Sequence, residues 1–79
     1  MPRFYFHIRN SGNVDDEEGQ EFADLDAARE CALEAARDLV CADIRQGYLN
    51  LDHRVEVANG AGVVLLQVTF RDAFTIEGR

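Results

Sequence analysis

The stretch LDAARECALEAARDLVCADIR, Leu25 to Arg45, constrains this chain more than any other. At about 100° per residue, Ala28, Ala32, Ala35, Ala36 and Leu39 fall along the centre of one helical face. Leu33, Val40, Ala42 and Ile44 flank that line, while Glu30, Glu34, Arg37, Asp38 and Arg45 gather opposite. The apolar arc covers roughly 200°, twice the stripe of ~100° that a surface helix needs. A centre made of alanine lets the helix lie close against a sheet. The larger flanking residues require either a sheet that curls around the helix or a second subunit on one flank. Asp24 is the expected N-cap, Asp26 falls in the first turn, and Gly47 supplies the left-handed stop.

The rest of the chain reads as strands. Phe4, Phe6 and Ile8 alternate with Arg3, Tyr5, His7 and Arg9, the period-two pattern of a half-buried strand. The NSGN sequence that follows has turn chemistry, and a short strand around Gln20 to Phe22 is expected to fold back on the first. Val55 and Val57 alternate with Arg54 and Glu56. After the NGAG turn, Val64, Leu66, Val68 and Phe70 alternate with Leu65, Gln67, Thr69 and Arg71, which predicts a β-hairpin. The expectation is therefore a two-layer α+β domain of ββαββ order, an antiparallel sheet with one amphipathic helix on one face. Residues 1–79 form a single domain with 75–79 as a tail. Ile76–Arg79 spells a protease-recognition tetrapeptide and receives no role.

Composition bounds the function. With 47% apolar and 29% charged residues and a single proline, the chain is globular. Domains this small bury roughly 60% of their unfolded surface and hold a net stability of roughly 5 kcal/mol. Association into a homodimer is a common remedy and is expected here. All eight basic residues are arginine and the net charge is −7, a balance that disfavours nonspecific binding to nucleic acid or anionic membrane. There is no apolar run of about 18 residues to span a bilayer and no apolar leader. Together with the two cysteines, this places the protein in the cytoplasm by expectation.

The segments MPRFYFHIRN, DEEGQEFADLDAARECALEAARDL and HRVEVANGAGVVLLQVTFRDAF resemble a family of short bacterial domains of unknown function. Its members open with M-P-R, two aromatics and F-H. They continue with a D-E-x-G segment, carry an alanine-rich helix and end near F-R-D-A. The resemblance implies no activity, substrate or cofactor.

Several groups could carry chemistry. The acidic run from Asp15 to Asp26 fails the calcium-loop pattern. Counting from Asp15 puts Gln20 sixth and Asp26 twelfth, and moving Gly19 to sixth puts Leu25 twelfth. Solvated surface next to a helix N-terminus is the expected role. His7 and His53 lack the further ligands that zinc requires, so no metal and no cofactor are expected. Ser11, the lone serine, has no nucleophile arrangement around it. Cys31 and Cys41 stand about 15 Å apart along one helix, too far for a disulfide. Cys41, with Arg37 and Arg45 one turn away on either side, is the candidate reactive thiol. Pro2, if exposed by removal of Met1, offers the secondary amine that small tautomerases use as a base, but the antiparallel hairpin does not fit their βαβ design.

The surface of most interest is the sheet face away from the helix. It should carry Arg3, Tyr5, His7, Arg9, Arg54 and Arg71. Such a surface can serve as a dimer face, or bind anionic ligands or single-stranded nucleic acid. Alternatively it is neutralised within the chain by Glu56, Asp72 and the neighbouring acidic segment. The resulting expectation is a non-enzymatic protein-interaction or regulatory module that acts as a homodimer.

Overall fold

The computed structural model describes residues 1–10 and 12–78; Ser11 and Arg79 lie outside the described residues. Strand β1, Arg3–Arg9, is followed by the short β2, Gln20–Glu21, helix α1, Leu25–Arg45, strand β3, Arg54–Ala58, and strand β4, Val64–Thr69. The four strands form one sheet in the order β2-β1-β3-β4, and every neighbouring pair is antiparallel. This is the α+β architecture the alternation and the helical face predict.

Local chemistry sets the element ends. The Asp24 carboxylate accepts the Ala27 N–H at 2.8 Å and caps the helix N-terminus. At the other end the Gly47 N–H donates to the Ile44 carbonyl and the Tyr48 N–H to that of Asp43. With Gly47 at φ +77°, this is a Schellman stop. In the β3–β4 turn, Asn59 Oδ1 accepts the N–H groups of Ala61 and Val63 at 2.9 and 3.0 Å, and Gly62 takes φ +83°.

The core lies between α1 and the sheet. Ala28, Ala32 and Ala36 are wholly buried, as are Val55, Val57 and Phe70. Phe4 is buried with them, and Phe6 and Ile8 are half-buried against the same cluster. The row expected beneath the helix is therefore the row found there. Each fully buried large side chain contributes roughly 1.5–3 kcal/mol. Phe22 closes the helix-start end of the core, with its ring 5.6 Å from that of Phe6 and 6.2 Å from that of Phe4.

Two features of β4 differ from simple alternation. Val57 pairs with Leu66 but Ala58 pairs with Val64, so Leu65 is the extra residue of a bulge. A slip of one residue moves everything beyond it to the other side. Val64 therefore leaves the row of Leu66 and Val68, lies opposite Ala58 and is 41% exposed. At its far end β4 stops at Thr69, and Phe70–Ala73 forms a 3-10 helix. Thr69 Oγ1 accepts the Asp72 N–H at 3.3 Å, and Arg37 Nε donates to the Ala73 carbonyl at 2.6 Å. Phe70 and Ala73 reach the core from this turn, whereas Arg71 does not continue the strand.

The wide apolar arc of α1 is only partly covered. Ala42 and Ile44 are exposed, Ile44 by 55%. No described helix is long and apolar enough to cross a membrane.

Candidate functional site

The outward face is built by register. Arg9, Arg54 and Thr69 form one row across β1, β3 and β4; His7, Glu56 and Gln67 form the next; Tyr5, Ala58 and Val64 form the third. Arg3, Tyr5, His7, Arg9 and Arg54 thus share the surface the sequence assigns them. Arg71 does not. It sits in the 3-10 helix and pairs with Asp52 at 3.4 Å rather than with any group of the sheet face. Asp72, expected among the neutralising acids, contributes its backbone N–H to Thr69 instead.

Glu56 organises the charged end. Only 8% exposed, it accepts Arg9 Nε at 3.0 Å and Arg54 Nε at 3.3 Å, one on each carboxylate oxygen. Arg9 reaches further, donating through Nη1 to Asp15 at 2.6 Å. That hydrogen bond raises the guanidinium pKa above its ordinary value, against the opposing pull of burial. The same bond holds the Asp15 carboxyl below the usual carboxylate range. Arg9 and Arg54 thus face Asp15 and Glu56, two cations against two carboxylates, and the patch is neutralised from within.

The acidic segment is more ordered than a solvated run needs to be. Val14 bridges back to Ile8 through reciprocal backbone bonds of 2.7 and 2.9 Å. Asp16 is the organiser: one carboxylate oxygen accepts the N–H groups of Glu18 and Gly19 at 3.1 Å, the other that of Phe6 at 3.1 Å. Burial pushes its carboxyl up, but those three N–H donors outweigh it and hold the pKa below the usual range. Arg3 Nη1 adds a 2.8 Å bond to the Glu18 carbonyl. Gly19, at φ +70°, presses against Tyr5 and Arg3; a Cβ there would stand 2.8 Å from Tyr5 Cε2. Glu17, Glu18, Glu21, Asp24 and Asp26 remain exposed, as expected of solvated surface. Ordering by Asp16 is a correction to that picture, and D-D-E-E-G carries its signal in the Asp that precedes glycine by three residues.

The remaining candidates lie apart from this face. Cys41 is exposed and Cys31 half-buried on α1. Arg37, expected beside Cys41, directs its Nε to the Ala73 carbonyl. The Pro2 carbonyl accepts the Phe22 N–H at 3.1 Å, a structural tie. His53 lies between Tyr48 and Phe70, with ring centroids at 6.0 and 5.6 Å.

The other end of the face is apolar. Val63, Val64 and Leu65 are 53%, 41% and 41% exposed at the head of β4, a strand that among the described residues has no neighbour on its outer side. Alternation along the VVLL run gives no hint of the bulge that turns Val64 outward.

No curated protein and no solved structure matches the chain. Residues 3–71, from the first strand to the 3-10 helix, match the model of the domain of unknown function DUF6894. The chain is a member of that family.

Proposed function

We propose that this domain is a non-enzymatic protein-interaction module that acts as a homodimer. One observation carries the reading: the outward sheet face is divided. At one end the arginines are held by carboxylates of the same chain. At the other, Val63, Val64 and Leu65 are open to solvent without cover. An anionic ligand at Arg9 and Arg54 would have to displace Glu56 and Asp15, giving up existing pairs for new ones. An apolar, uncharged strip instead fits the buried centre of a protein–protein contact, from which charged residues are depleted.

Sedimentation equilibrium over a concentration series tests the proposal, with a mass rising to that of a dimer as the expected result. Filter binding of single-stranded DNA and RNA at two salt concentrations tests the alternative of anion or nucleic-acid binding through Arg3, Tyr5, His7, Arg9 and Arg54. Salt-sensitive retention together with a monomeric mass would replace the present reading with that one.

A further inference from the structure

We infer that the second copy binds by strand addition to β4, joining two four-stranded sheets into one continuous sheet about a two-fold axis. The inference rests on the homodimer reading above and specifies its surface.

The backbone of β4 is prepared for it. The Phe70 N–H donates to the His53 carbonyl at 2.8 Å, one step beyond the Arg54–Thr69 pair. Hydrogen-bonded and non-hydrogen-bonded pairs alternate along an antiparallel ladder. Leu66 and Val68 therefore direct their backbone groups to β3, and Gln67 and Thr69 direct theirs outward. The bulge at Leu65 leaves Leu66 to Thr69 regular. Edge strands are ordinarily guarded by charge, proline or brevity. At the opposite edge β2 is two residues long and ends on Glu21, with Glu17 and Glu18 beside it. β4 has six residues, VLLQVT, none of them charged.

Lack of charge points to a second copy in particular. A strand paired antiparallel with its own copy about a two-fold axis sets the residue on the axis against itself and every other residue against one equally far on the other side, so a charge at the axis would face its like. The chain carries a net charge of −7, yet β4 brings none of it to such an axis. β1, β2 and β3 all hold charged residues, and the uncharged strand, β4, lies at an edge. A partner with a charged strand finds no complement here. With the axis at Gln67, Gln67 faces its own copy, Leu66 faces the second copy's Val68, and Leu65 faces the second copy's Thr69. Directly opposed residues share a face, so the two helices lie on the same side of the joined sheet and the exposed Leu65 side chains on the other.

The test uses the whole chain and three variants. Leu65→Lys places charge at an exposed position. Gln67→Pro removes an outward N–H that β3 does not use, a position where edge strands accept proline. Ile44→Lys alters an exposed apolar site away from β4, at the end of α1. Native circular dichroism is required of each, and sedimentation reads the mass. Wild type and Ile44→Lys as dimers, with Leu65→Lys and Gln67→Pro as monomers, is the expected result. A dimer that survives both β4 variants overturns strand addition and leaves the homodimer reading standing; a wild-type monomer at every concentration removes both. Amide hydrogen exchange of the wild type decides independently of how the variants fold. Gln67 and Thr69 amides should gain protection as the dimer forms, and protection unchanged between monomer and dimer rejects the surface.

Discussion

The backbone N–H of Asp16 donates to Nδ1 of His7 at 3.1 Å, while the Asp16 carboxylate accepts the N–H of Phe6 at 3.1 Å. One loop residue therefore holds β1 through the backbone of Phe6 and the side chain of His7. Neutral His7 must carry its proton on Nε2 to accept that bond.

A pH dependence follows from the Asp16 carboxylate. Its pKa is lowered in the folded protein, so the loop's contribution is fully present above the unfolded value of about 3.9 and is lost as pH falls through that value toward the lower folded one. Asp16→Ala should cost roughly 1.5–3 kcal/mol near neutral pH, the net worth of hydrogen bonds to a charged group. Its deficit relative to wild type should shrink on acidification. Urea denaturation of both proteins across pH 3 to 7 measures this.

Gly19 and Gly62 separate two costs. Both have positive φ, but a Cβ at Gly62 meets nothing within 4 Å, whereas at Gly19 it meets Tyr5, Arg3 and the Phe4 carbonyl at 3.0 Å or less. Gly62→Ala should lose about 1 kcal/mol for backbone strain alone. Gly19→Ala should lose a further 1–3 kcal/mol, roughly the penalty of overpacking. Equal losses in thermal unfolding would contradict this packing of the loop on Tyr5.

Glu56→Gln leaves Arg9 and Arg54 sharing a neutral amide in place of a carboxylate. Loss of a charge-assisted contact of this kind costs roughly 1.5–3 kcal/mol. Because Glu56 is nearly buried, added salt should recover little of it. Asp15→Asn removes an exposed pair and should cost less than Glu56→Gln. Chemical denaturation of the two variants at low and high salt checks the order.

Thiol labelling should distinguish the cysteines. Cys31 is half-buried, and burial together with Glu34 raises its thiol pKa above the ordinary value. Cys41 is exposed on the same helix. A maleimide should modify Cys41 first in the native protein, and Cys31 should catch up only at higher pH or on unfolding. Peptide mass mapping of a time course gives the order.

What the sequence displays well is local. The alternation of β1, the Asp24 cap, the Gly47 stop and the alanine line of α1 each depend on residues within a few positions, and the structure repeats them. The end of β4 depends on distant groups. Alternation carries smoothly through Phe70 and Arg71, yet Thr69 caps a tight turn and Arg37, from the helix, holds that turn through the Ala73 carbonyl. Arg71 is thereby removed from the sheet and given to Asp52. The candidate face shows the same division. Its arginines and Glu56 are visible in the strand pattern, but the apolar end depends on a bulge that four consecutive aliphatic residues conceal.

The strand order has a consequence for how the chain acquires its shape. β1 lies between β2 and β3, and its pairing with β3 joins Arg9 to Arg54. Closing so long an intervening segment costs entropy before any of its contacts return free energy, which slows the search. As the polypeptide leaves the ribosome, Phe4 and Phe6 emerge before Val57 and must wait for it before the sheet can close. Until β3 has emerged, the aromatic strand β1 has one completed edge and one vacant one, and that interval is when the nascent protein is most open to capture by a chaperone.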